Sequence, residues 1–265
     1  DDIAPFIKFG CIKDEKFCER MMEYVLFKDL DGKYTTMNEY LEAQKPADGE
    51  AETDKAEEKT DGEEKKAPKT TIYYVTDEIQ QSQYINMFKK QGMDAVILKH
   101  NIDTAFITHV EQKHEDVKFQ RIDADLTEDF KEDGTDLKEM TEELTATFKK
   151  ALNNEQLDVK VEKLKNESIS SMMTLSEESR RMQDMMKMYG MTGMDPSMFG
   201  GQETLILNAK HPLVQYILKN GENDNTSLFC EQLYDLAMIS HKPLSPDEMT
   251  KFVSRSNQIM MLLAK

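Results

Sequence analysis

A chain of 265 residues is long enough for two modest domains. Hydrophobic residues make up 38% of it and charged residues 32%, so most of it can fold beneath a strongly ionic surface. The formal net charge of -17 argues against a nucleic-acid binder, which needs a basic face, and the lack of a signal peptide or a long apolar run argues against a membrane partner.

The chain begins at Asp1 rather than at a methionine, and DDIAPFIKFG is already amphipathic, so a fragment of something longer is expected. Residues 1–44 read as helical, with Phe6, Ile7, Phe9, Cys18, Met21, Met22 and Tyr24 at apolar positions. Asp31-Gly32 marks a turn, and a short helix through Asn38, Glu39, Tyr40 and Leu41 follows. From Pro46 to Lys69 the composition shifts to PADGEAETDKAEEKTDGEEKKAPK, which has no large apolar side chain. Such a segment cannot offset its ordering entropy and reads as a disordered acidic insert, a solvated spacer.

A regular alternation follows: strands at 72–76, 95–99 and 117–122, with helices at 84–90 and 102–112 between them. That order predicts βαβ units, a small three-layer α/β unit with a parallel sheet. Beyond Asp123 come an acidic helix at 138–151, a β-like VKVEKL at 159–164, a methionine-rich stretch and a strand at 204–208. A short helix from Pro212 and two longer ones, 226–240 and 246–264, complete a mixed α+β chain ending in a helical hairpin.

Chemical sites find little support. The first strand of the alternation runs into Thr76-Asp77-Glu78, without a glycine-rich turn, and two carboxylates there repel a phosphate. This weakens the alternative of a nucleotide-binding α/β enzyme domain. His109 and His114 lie five apart on one predicted helix, about 140° around its axis, and do not converge on a metal. A calcium loop centred on Gly134 fails because Lys131 and Met140 fall where oxygen ligands are needed. Cys11, Cys18 and Cys230 show no CxxC pairing and no adjacent histidine, and read as reduced core thiols of a cytoplasmic protein. No catalytic, cofactor-binding or metal residue is expected.

Binding surfaces are better marked. Nine of the 19 methionines lie between Met172 and Met198, and unbranched thioethers suit partners of irregular shape. Thr174 and Glu177 match a capping box that starts a helix. Met182, Met185, Met186 and Tyr189 then form one stripe, Met188 lies off it, and Met191 continues past Gly190. Leu, Ile and Val, which pack a core more specifically, are missing from 176–204. These six residues form the expected contact element. In the final helices, Ser245 and Glu248 flank a proline in a second capping box. Behind it Met249, Phe252, Val253, Ile259, Met260 and Leu263 make a wide stripe, and the preceding helix offers Phe229, Leu233 and Leu236. Two such helices carry more apolar face than one partner covers, so pairing with a second copy into a four-helix bundle is expected.

The ordered segments DDIAPFIKFGCIKDEKF, FKDLDGKYTTMNEYLE, IYYVTDE, SRRMQDMM and LILNAKHPLVQYIL resemble the C-terminal half of the ninety-kilodalton heat-shock chaperone family, over all but the acidic insert. The resemblance implies an ATP-driven homodimeric chaperone that binds unfolded or partly folded client proteins. It places residues 1–45 at the helical end of a middle domain and 46–69 in the insert. Residues 70–125 become a small α/β subdomain, and 126–265 a dimerisation and client-contact domain. It also implies that ATP and magnesium act in the full-length protein, with no enzyme activity and no cofactor in this fragment. The ending MLLAK, without the acidic peptide of eukaryotic cytosolic relatives, fits a bacterial member. A purely structural dimerisation module remains a further alternative.

Overall fold

The computed structural model describes residues 3–43, 69–132, 137–188, 203–221, 223 and 225–264. The acidic insert therefore lies outside the described residues, apart from Lys69. The chain is mixed α+β and divides into two compact units: residues 1–74 with 94–120, and residues 75–93 with 121–265.

In the first unit, α1 (Ala4–Lys13) and α2 (Glu15–Met21) are separated by Asp14, whose carboxylate accepts from Phe17 N at 3.1 Å and starts the second helix. Next come β1 (Leu26–Asp29), β2 (Tyr34–Thr36) and α3 (Met37–Ala43). Residues 26–36, read as helix and turn, instead form an antiparallel hairpin in which Phe27 faces Thr35. The cause is local. Asp29 Oδ1 accepts from the amides of Asp31 (3.0 Å) and Lys33 (2.7 Å), and Gly32 adopts φ +83°, a region L side chains avoid. Thr36 and Glu39 then cap α3 reciprocally.

The strands β3 (Thr70–Val75), β4 (Val96–Ile97) and β5 (Val117–Arg121) complete a five-stranded sheet ordered β2-β1-β4-β3-β5. The sheet is wider than the three strands expected and includes antiparallel pairs, because β1 runs antiparallel to both β2 and β4. Helix α5 (Ile102–Lys113) packs on α1. The core between these elements gathers Cys11, Phe27, Tyr40, Tyr74, Phe106 and Phe119. Within it Lys8 and Asp103 form a buried ion pair at 2.5 Å, with the ammonium 5.6 Å from the Phe106 ring. Pairing is what makes burial of two opposite charges tolerable there.

The second unit begins with α4 (Ser82–Lys90) and continues after β5 with α6 (Lys138–Leu152). Strands β6 (Asp158–Glu162), β7 (Ser171–Thr174) and β8 (Thr204–Asn208) form a sheet ordered β6-β8-β7, parallel between β6 and β8 and antiparallel between β7 and β8. Helices α7 (Glu177–Met188), α8 (Pro212–Lys219), α9 (Thr226–Ile239) and α10 (Pro246–Leu263) follow. Asn153, at φ 48°, closes α6 as a left-handed cap. Leu144, Phe148, Met173, Leu205, Leu207, Val214, Ile217, Cys230 and Leu233 make up the core of this unit. Among the described residues no helix is long and apolar enough to cross a membrane.

Candidate functional site

The methionine stretch divides into two environments. Met172 and Met173 lie in β7, 2% and 0% exposed, and belong to the protomer interior rather than to a binding surface. Thr174 is paired with Thr204 in the sheet, so it cannot cap a helix as its spacing predicts. Ser176 takes that role, its Oγ accepting from Ser179 N at 3.3 Å. Glu177, freed from capping, accepts from Arg121 N (2.8 Å) and from Arg181 Nε (2.7 Å).

Helix α7 then turns its methionines outward. Met182 is 39% and Met185 51% exposed, and Met186 is half-buried. Tyr189 and Met191 lie outside the described residues, as does the side chain of Met188.

The first turn of α7 is fixed by a buried ionic cluster that sequence reasoning missed. The Asp123 carboxylate receives Arg121 Nε at 2.7 Å and Nη2 at 3.1 Å, and Arg180 Nη2 at 3.0 Å. Arg180 Nη2 also donates to His241 Nδ1 at 2.6 Å, and His241 Nε2 lies 3.3 Å from Glu203 Oε1. Lys242 Nζ closes the chain on Glu203 at 2.7 Å. Burial alone would raise the Asp123 carboxyl, but the guanidinium groups of Arg180 and Arg121 hold it below the usual carboxylate range. Glu203 behaves alike: burial opposes ionisation, while His241 and Lys242 hold it down to about 2. Burial lowers His241 below its ordinary value.

The final helices divide in the same way. Ser245 and Glu248 form the reciprocal capping box that the sequence predicts. The one buried side chain among the described residues of α10 is Arg255, 8% exposed, bonded to Glu231 (2.6 Å), Gln232 (3.1 Å) and Asp235 of α9. Its apolar residues face outward: Met249, Val253 and Met260 are 42%, 49% and 57% exposed, while Phe252 and Ile259 are half-buried. On α9, Leu236 is exposed, and Phe229 is half-buried with its ring edge-on to Tyr216 at 5.3 Å. Leu233, expected at a partner interface, is 1% exposed and already committed to the protomer core. The side chain of Leu263 lies outside the described residues.

The cysteine thiols are buried and unpaired, with burial pushing Cys11 and Cys230 up to about 12. After β3, Gln81 Oε1 accepts from the amides of Thr76 and Asp77, and Asp77 Oδ1 from those of Ile79 and Gln80. The amides that would cradle a phosphate there are bound to side chains, two of them to a carboxylate, so this turn does not fit a nucleotide.

The Hsp90 protein family model matches residues 2–265. The chain belongs to the Hsp90 family. It is 31% identical over 236 residues to the chaperone protein htpG of Bacteroides fragilis strain YCH46, covering 84% of this chain and 32% of that protein. The HtpG of Bacteroides thetaiotaomicron is 30% identical, covering 84% and 31% of the two chains. That of Porphyromonas gingivalis strain ATCC 33277 is 29% identical, covering 85% and 32%. This Hsp90 chain thus spans about a third of the length of the curated relatives it matches. The match overturns two expectations. With residues 2–265 inside the Hsp90 family, the reading of the chain as non-enzymatic and without cofactor is withdrawn.

Proposed function

We propose that the chain supplies self-association and client contact to an ATP- and magnesium-dependent, cytoplasmic, homodimeric chaperone, as its C-terminal portion. In this reading residues 1–45 and 70–125 close a middle domain, the insert 46–69 spaces them, and residues 126–265 dimerise and meet clients. One observation carries it: α10 buries an arginine and exposes its methionines and valine. Among the described residues that apolar side stays open, and a second copy offers a self-complementary partner. Leu236, Met249, Phe252, Val253, Ile259 and Met260 make the pairing surface, while the outward Met182 and Met185 receive partly unfolded proteins.

Light scattering on the protein tests the first half. A dimer at micromolar concentration is expected, and Met249→Ser with Val253→Ser and Met260→Ser should shift it to monomer; a monomeric wild type overturns the proposal. For the second half, Met182→Ser with Met185→Ser should weaken suppression of client aggregation while leaving the dimer intact. Unchanged suppression would reduce α9 and α10 to a purely structural dimerisation module.

A further inference from the structure

We infer that His241 is a proton-sensitive latch on the base of α7: neutral, it accepts a hydrogen bond from Arg180 and secures the first turn; protonated, it repels Arg180 and loosens that turn. The argument follows from donors and acceptors. A guanidinium carries only N–H donors. Since Arg180 Nη2 lies 2.6 Å from His241 Nδ1, that ring nitrogen must present its lone pair. The single ring proton of the neutral form therefore sits on Nε2, which faces Glu203 Oε1 at 3.3 Å. Both nitrogens are committed, each to a group of the opposite hydrogen-bonding character.

A second proton has only Nδ1 to occupy. It would set N–H against N–H and one cation against another at hydrogen-bond distance, turning the contact into a repulsion. The groups facing the ring are Arg180 on α7, Asp123 beyond β5 and Glu203 before β8, with Lys242 adjacent in its own loop. Asp123 and Glu203 favour the proton, but Asp123 is already shared by Arg121 and Arg180, and Glu203 by Lys242. The histidine side chain is only 3% exposed, so water cannot screen the repulsion. Arg180 keeps its bonds to Asp123 Oδ2 and to the Asp123 carbonyl at 3.3 Å, so the turn is loosened rather than unfolded.

The direction with pH is fixed. Burial holds the folded His241 below 6.5, so the unfolded form binds the proton first. The stabilisation is complete above that value and is lost as pH falls from it towards the lowered folded value. Glu203, held down to about 2 from 4.5, loses its contribution only as pH falls below 4.5. The inference concerns how α7 is held, and it stands whether or not the methionine face receives clients.

Amide exchange on the intact protein, corrected for intrinsic rates and referenced to α6, tests it. Between about pH 7.5 and about pH 5.5, protection in the first turn of α7 should fall by up to roughly tenfold, the limit for one titrating histidine. His241→Asn, which keeps an oxygen acceptor for Arg180 and does not titrate, should show no such fall. An equal pH response in the two proteins overturns the latch. Nitrogen NMR of the wild-type ring serves should the variant fail to fold. A proton on Nε2 at neutral pH with titration below 6.5 supports the latch, and a proton on Nδ1 overturns it.

Discussion

Replacing Asp123 with Asn should be among the most damaging single changes in the second unit. The carboxylate has no exposed surface, and its two oxygens meet three N–H groups from Arg121 and Arg180 at 2.7–3.1 Å. Asparagine keeps one oxygen and aims an NH₂ at the remaining donors, and it removes the carboxylate that the buried Arg180 guanidinium meets at 3.0 Å. Breaking a buried ion pair by removing one partner costs about 3–5 kcal/mol. For a unit of this size each kcal/mol is about 2–4 °C, so its calorimetric transition should fall by roughly 6–20 °C. Acid titration gives a second signature. The folded Asp123 carboxyl is held below 3.8, so its stabilisation is present above that value and is lost as pH falls through the folded value; the variant lacks this limb. Asp123→Leu combined with Arg180→Met should recover part of the loss, because apolar replacement of a buried pair is often close to neutral. A loss below about 1 kcal/mol for Asp123→Asn, typical of a surface change, would refute the claim that the cluster is buried and mutually dependent.

Other outcomes follow from single features. Phe148→Ala, at a fully buried position of α6, should cost about 3–5 kcal/mol in urea unfolding of the second unit. Gly32→Ala meets only the Lys28 side chain, at 3.7 Å, so its cost is conformational; at φ +83° it should destabilise the first unit by about 1 kcal/mol in thermal unfolding. Cys11 and Cys230, with thiols pushed up to about 12 and buried, should resist a thiol reagent at mildly alkaline pH until denaturant opens the fold. Labelling of either at the rate of a free thiol in the native protein would contradict this.

How much was legible in the sequence depended on whether one strong periodicity stood alone. Helices α4, α5, α6, α9 and α10 and strands β3, β6 and β8 were readable, because each carries one periodicity bounded by turn residues or a cap. The β1–β2 hairpin was not, because its strands have only four and three residues and one fully buried side chain, Phe27. Too few alternations exist there to distinguish a period of two from a helical one. Strand β7 is buried at all four positions, so it shows no alternation, and its adjacent methionines imitate the exposed run that follows. The buried cluster was invisible for another reason. Arg180 lies 57 residues from Asp123 and 61 from His241, and only the fold brings them together. Its one trace in the sequence is Arg180-Arg181 at the start of an amphipathic helix, which reads as a solvated face.

Helices α7 and α10 share a design that explains why their apolar residues stay outside. Each is tied to its unit by a buried arginine: Arg180 reaches Asp123 and His241 through Nη2 alone, whereas Arg255 meets Gln232, Glu231 and Asp235 of α9 through Nε, Nη1 and Nη2. A planar fork of donors fixes the roll of a helix about its axis, which methionines packed on an apolar surface do loosely. Burying a guanidinium adds little net stability, so the arrangement is better understood as fixing orientation. Arg255→Met tests the distinction. If Arg255 only stabilised the protomer, the change would lower unfolding temperature and leave self-association unchanged. If it sets the roll of α10, the new thioether lets the helix turn an apolar side inward, and dimer dissociation measured by sedimentation should rise well beyond the change in protomer stability. An unchanged dissociation constant would show that the exposed Met249, Val253 and Met260 do not depend on Arg255 for their direction.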